Sequence, residues 1–174
     1  MAEHESMVER YRHLIGTEHV YTAPDEIGRA SIRKFALSIG DLNPLYVDRK
    51  AAAQSPYQDV IAPPTFVCET WQYYRGEVDG VGGFSDRMPM PEGQPIRAGN
   101  DYVFHRPLRP DDILTARWTV RDIYEKSGRS GALVFVVIEI RYTNQHDELI
   151  AENHETLAYR HPYPEPAQAE EFTP

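Results

Sequence analysis

The chain holds a single cysteine, Cys68, in 174 residues. That excludes an internal disulfide framework and any cysteine-built zinc site, and it fits a reducing compartment. Cys68 itself is expected to pack as a small apolar side chain. No apolar run approaches the roughly 20 residues that a helix needs to cross a bilayer. The opening segment, Met1 to His13, is charged and lacks both the basic and the apolar parts of a secretory signal, so the expected compartment is the cytoplasm. Cations are scarce as well, with 18 Lys and Arg against 27 Asp and Glu and a formal charge of -9. Clustered cations are what hold phosphate backbones, so nucleic acid is not an expected partner, and neither is a membrane. The one basic cluster is His105-Arg106-Pro107-Leu108-Arg109, which is either an anion-facing patch or a solvated strand end.

What is present is a core-forming composition, 41% hydrophobic and 11% aromatic, in a length suited to one domain. A short helical piece is expected over residues 4–14 and a strand over 17–23. Ile32, Phe35, Ala36 and Ile39 recur at the spacing of one helical face, and Gly40 follows where a left-handed residue would end that helix. A further helical turn over 48–53 closes at Ser55-Pro56. Pro64 suits a helix start, since its missing N–H has no intrahelical partner there. A helix from Pro64 would align Val67, Thr70, Trp71 and Tyr74 as the buried stripe of a central helix. Glycines and prolines then mark a long loop over 75–96. Strands are expected over 99–106, 113–125, 132–144 and 149–160. The uninterrupted apolar run Leu133 to Ile138 predicts a central strand covered on both faces. The tail, 161–174, is rich in Pro and Glu and is expected to be disordered. One helix lying across antiparallel strands is an α+β layout.

Three stretches carry a family resemblance. Gly40-Asp41-Leu42-Asn43-Pro44-Leu45-Tyr46 is followed by Asp59-Val60-Ile61-Ala62-Pro63-Pro64-Thr65-Phe66 and by Phe104-His105-Arg106-Pro107-Leu108-Arg109-Pro110-Asp111-Asp112. Tyr124-Glu125-Lys126 and Tyr142-Thr143-Asn144-Gln145 fit the same pattern. In this order they resemble the MaoC-like (R)-specific enoyl-CoA hydratases and dehydratases, in the N-terminal MaoC-like branch related to fatty-acid-synthase dehydratase domains. The resemblance implies a single hot-dog domain over 1–160, in which an antiparallel sheet wraps a central helix. It also implies reversible addition of water to the 2,3 double bond of an enoyl thioester, without cofactor or metal.

That chemistry needs an activated water, a proton source, and donors for the charge developing on the thioester oxygen. By position, the resemblance assigns the water-handling roles to Asp41, Asn43 and Tyr46. It assigns substrate contacts to Ala62, Thr65, Phe66, His105 and Arg106. Pro63 and Pro64 have no N–H, so an oxyanion donor must be a neighbour such as Thr65 or Phe66. The departure is Tyr46, which stands where the family has His. A phenol of ordinary pKa about 10 is neutral at pH 7 and a poor base, whereas histidine titrates near 6.5. His105 is the substitute base to consider. Asp41 and Asn43 have a second reading, because Asp and Asn in such a turn also satisfy backbone N–H groups by themselves.

Three functions follow. The first is a hydratase or dehydratase of enoyl-CoA and 3-hydroxyacyl-CoA, or of their acyl carrier protein counterparts. The second is a non-catalytic acyl-binding subunit paired with a hot-dog chain that carries the Asp/His pair. The third is a thioesterase, which shares the fold but not the Gly-Asp-x-Asn-Pro segment. All three imply a homodimer or a heterodimer, since one hot-dog sheet leaves an edge that wants a partner.

Overall fold

The computed structural model describes residues 7–68, 90–91, 95–128 and 131–160. A helix, α1 (Met7–Tyr11), runs into a 3-10 turn, Arg12–Leu14, and then strand β1 (Glu18–Thr22). Helices α2 (Arg29–Ser38), α3 (Pro44–Val47) and α4 (Arg49–Ala53) follow, and a 3-10 helix covers Pro64–Cys68. The rest is strand: β2 (Pro95–Phe104), β3 (Thr115–Gly128), β4 (Gly131–Thr143) and β5 (Leu149–Arg160). All pairings are antiparallel, in the spatial order β1-β3-β4-β5-β2. This is the α+β sheet architecture expected from the sequence. Among the described residues no helix is long and apolar enough to cross a membrane.

The core lies on one face of the sheet. Val134, Val136 and Ile138 of β4 are fully buried, and beside them lie Val120 of β3, Ala151 of β5, and Ile32, Ala62 and Val67 from the segments that cover them. The other face of β4 is only partly covered, with Leu133, Phe135 and Val137 half-buried. The apolar run therefore does not mark a strand enclosed equally on both sides. Its outer residues are shielded by neighbours on the same face: Phe135 stacks on Tyr124 at 5.1 Å between ring centroids, and the Lys126 ammonium lies over both rings.

Toward the β2 edge the core-facing side turns polar. The Asn153 amide donates to Asn100 Oδ1 at 2.8 Å, Cys68 Sγ lies 2.9 Å from the Tyr102 hydroxyl, and Arg97 pairs with Glu155 at 2.6 Å. Cys68 is thus half-buried against a polar partner rather than packed as a simple apolar group. Strand β2 has β5 as its neighbour and ends the sheet. Ile96, Val103 and Phe104 are exposed along it.

Element limits differ from expectation where packing overrides local signals. Pro95 and Ile96, expected in the loop, begin β2, and Pro is tolerated there because it opens an edge strand. Ile39, expected on the buried face of α2, is 51% exposed, because the helix stops at Ser38 and Ile39 becomes its cap. Of the expected central helix only the first five residues are described, as the 3-10 turn Pro64–Cys68. Thr70, Trp71, Tyr74, most of the 75–96 loop and the 161–174 tail lie outside the described residues.

Candidate functional site

The Gly40–Asp48 segment is built from its own caps. Gly40 adopts φ 73°, a left-handed conformation that suits glycine, and α2 ends in a paired terminal motif. In it Gly40 N–H donates to Leu37 C=O at 3.2 Å and Asp41 N–H to Ala36 C=O at 2.9 Å. Each polar residue then caps the next step of chain. Asp41 Oδ1 accepts from Asn43 N–H at 3.0 Å, and Asn43 Oδ1 accepts from Leu45 N–H at 3.0 Å, capping α3 ahead of Pro44. Asp48 Oδ1 accepts from Lys50 and Ala51 N–H at 2.8 and 3.2 Å, capping α4. The turn-building role foreseen for Asp41 and Asn43 is therefore present.

The segment after β2 is held by distant partners instead. His105 and Arg106 N–H both donate to Ile150 C=O, at 2.9 and 3.2 Å, which swings the chain off the sheet. His105 Nε2 lies 2.9 Å from Glu152 Oε2, whose other oxygen takes Arg141 at 2.6 Å. Arg106 pairs with Glu148. Arg109 donates from Nη2 to Tyr57 C=O at 2.8 Å. The basic cluster is thus matched by carboxylates and a carbonyl and does not form an open anion patch. Buried Asp112 ties the turn together, accepting from Arg109 N–H at 2.7 Å and from the Asn144 amide at 3.1 Å.

These two segments meet the 57–67 stretch around an open cavity of about 350 Å³. Ile61 N–H donates to Leu45 C=O at 3.1 Å and Ala62 N–H to Leu108 C=O at 2.9 Å, which staples all three together. Of the expected site residues, Tyr46, Ala62, His105 and Arg106 line the cavity, whereas Asp41, Asn43, Thr65 and Phe66 do not. Phe66 is buried in the core, edge-on to Phe35 at 5.1 Å between ring centroids. Its N–H is spent on Pro63 C=O at 2.9 Å, and that of Ala62 on Leu108. The Thr65 N–H has no partner among the described residues, which leaves it the available donor of this segment.

Burial pushes the Tyr46 hydroxyl above its ordinary pKa, and the nearby Asp41 carboxylate and Tyr57 push it further. The Asn43 side chain acts the other way by hydrogen bonding to Tyr46. Tyr46 is consequently a neutral hydroxyl at pH 7, able to donate a hydrogen bond.

Sequence reasoning did not single out Tyr57 or Ile150 as cavity residues. Nothing in local periodicity marks them, since they reach the cavity through the Arg109 and Ile150 contacts across the fold. The Arg29 guanidinium, bound through Nε to both oxygens of Asp59 at 3.1 and 3.0 Å, was also missed. It anchors the 59–62 wall to the start of α2. Among the described residues no cluster of His, Cys, Asp and Glu is placed to hold a metal ion.

The chain matches known proteins over most of its length. The family model described as "FAS1-like, dehydratase domain region" matches residues 13–153. A UPF0336 protein of Streptomyces coelicolor is 33% identical over 135 residues, 78% of this chain and 83% of the relative. Among solved structures, the HadBC (3R-hydroxyacyl-ACP dehydratase) complex of Mycobacterium tuberculosis aligns with TM-score 0.65 and 26% identity, covering 84% of this chain and 97% of that one. The (R)-hydratase PhaJ1 of Pseudomonas aeruginosa aligns with TM-score 0.62 and 18% identity, covering 89% and 92%. The fold is the hot-dog fold of these MaoC-like hydratases and dehydratases.

Proposed function

The chain belongs to the FAS1-like dehydratase-domain family, and on that premise we propose that it serves the reversible hydration of 2,3-enoyl thioesters as the acyl-binding half of a hot-dog pair. The Asp/His base resides on the other chain. The supporting observation is the state of Tyr46: at the position of the family's His stands a phenol whose pKa is raised, so it stays neutral at pH 7. Asp41, which would have to act alone, has an oxygen committed to the turn. The HadBC structure is itself a complex of two kinds of chain. Among the described residues strand β2 ends the sheet, with Ile96, Val103 and Phe104 exposed, and a second hot-dog sheet can continue there. The partner is a hot-dog chain, and the place of action is the cytoplasm.

In this reading Ala62 forms the cavity wall, and His105 and Arg106 form its mouth. Tyr46, which lines the same cavity, positions ligand or water. The thiol carrier is CoA or acyl carrier protein. A second reading, a self-sufficient hydratase, is favoured by one fact: His105 shares the cavity with Tyr46.

Mixing the purified chain with crotonyl-CoA and following the enoyl absorbance separates the two. The subunit reading expects no turnover from the chain alone and turnover after co-expression with a hot-dog partner bearing the Asp/His pair. Turnover by the chain alone that disappears in His105→Ala establishes the second reading and overturns the first.

A further inference from the structure

We propose that Tyr57 is a second ligand-binding residue of this cavity, where its hydroxyl and that of Tyr46 donate to one carbonyl oxygen of a bound acyl thioester. The inference rests on the acyl-thioester reading above and adds to it the group that recognises the carbonyl.

Tyr57 and Tyr46 line the same cavity from different segments. Those segments are fixed relative to each other by Ile61 N–H on Leu45 C=O at 3.1 Å. Tyr57 itself is held at both ends of its backbone. Its N–H donates to Ser55 Oγ at 3.2 Å, and its C=O accepts from the Arg109 guanidinium at 2.8 Å. Gln58 turns the chain immediately afterwards in the left-handed region, with φ 61°. These bonds fix the backbone from which the half-buried Tyr57 ring reaches the cavity.

The Tyr57 hydroxyl has no hydrogen-bond partner among the described residues. Its surroundings in the cavity include Leu45, Ile61, Val67 and Ile150. A hydroxyl in such a lining gains most from an acceptor that a ligand brings with it. The two phenols are also near neighbours electrically, since Tyr57 is among the groups that keep Tyr46 from ionising. Two phenolic hydroxyls on the wall of one cavity suit an oxygen with two lone pairs and no proton. A thioester carbonyl is such an oxygen; a 3-hydroxyl, which must also donate, is a poorer match.

The test uses the full chain and butyryl-CoA, a saturated thioester that cannot be hydrated, labelled at its carbonyl carbon. Affinity is read by calorimetry and the carbonyl by infrared difference spectroscopy. Tyr57→Phe keeps the ring and removes the donor. It is expected to weaken binding about fivefold, the worth of one net hydrogen bond, and to move the carbonyl band toward that of the free ligand. Thermal melting should stay unchanged. Tyr46→Phe should do the same, and the double variant's band should coincide with that of the free ligand. An unchanged band in Tyr57→Phe overturns the inference whether or not affinity falls, because packing alone could alter affinity. If the wild-type chain does not bind butyryl-CoA at all, the acyl-thioester reading fails and the inference with it.

Discussion

The two segments that frame the cavity are held in opposite ways. From Gly40 to Asp48 the chain secures itself: each of Asp41, Asn43 and Asp48 accepts from a backbone N–H two or three residues on. From His105 to Asp112 one cap is local, Arg109 N–H on Asp112, and the other partners are distant: Glu152 and Ile150 of β5, Glu148 and Asn144 of the turn before it, and Tyr57. A self-capped segment keeps its shape for local reasons and is recognisable as a motif. A cross-braced one exists only once the sheet has formed. Both are needed, because Tyr46 comes from the first and His105 and Arg106 from the second.

This contrast orders the effects of substitution. The largest belongs to the cross-braced side: Asp112→Ala removes the acceptor of the Arg109 N–H and one of the two acceptors of the Asn144 amide in a buried turn. It should cost about 3 kcal/mol in urea unfolding. A loss no greater than that of a surface substitution would show that this segment does not depend on its distant partners. On the self-capped side, Asn43→Ala and Asp48→Ala should each cost about 1 kcal/mol, the usual worth of an N-cap. Costs well above that would mean that the turn leans on tertiary contacts after all.

A smaller effect is expected from Arg29→Ala, with a defined pH dependence. The Arg29 hydrogen bond is the main reason that Asp59 titrates below its ordinary value of 3.8. A depressed carboxylate contributes stability that is present above its unfolded pKa and lost as pH falls through the folded one. The variant should therefore melt slightly earlier than wild type at neutral pH, and the gap should close below about pH 4. A gap that persists in acid would assign the effect to packing. Smallest of all is the response of Tyr46 to Asp41→Asn. Burial is the main cause of the raised phenol and should persist, while the carboxylate's contribution disappears. Phenolate absorbance at alkaline pH should appear somewhat earlier than in wild type. No change would place Asp41 electrically apart from Tyr46.

Much of the fold was legible because its signals are local. The strands β3, β4 and β5 are marked by apolar content and by the turn residues between them, and the end of α2 by Gly40 within a residue or two of where it falls. The exposure of Ile39 was not legible, because helical periodicity does not say which turn is the last. The site divides along the same line. Tyr46, Ala62, His105 and Arg106 were found through the motifs and do share a cavity. Phe66 sat in a motif as well, yet its ring belongs to the core beside Phe35. Tyr57 sits in the turn that follows Ser55-Pro56, and nothing in its neighbourhood marks it as a cavity residue.

By itself, then, the sequence determined the antiparallel α+β hot-dog architecture, the capped Gly40–Asp48 turn, and the presence of a phenol where the family carries an imidazole. Those features depend on residues within a few positions of one another, where backbone geometry and side-chain chemistry act directly. Only the tertiary structure decided that the basic cluster is matched by Glu148 and Glu152, that burial raises the Tyr46 phenol, and that Tyr57 lines the same cavity. Each of these depends on strand register and on turns that bring residues tens of positions apart into contact, and no local pattern encodes that distance.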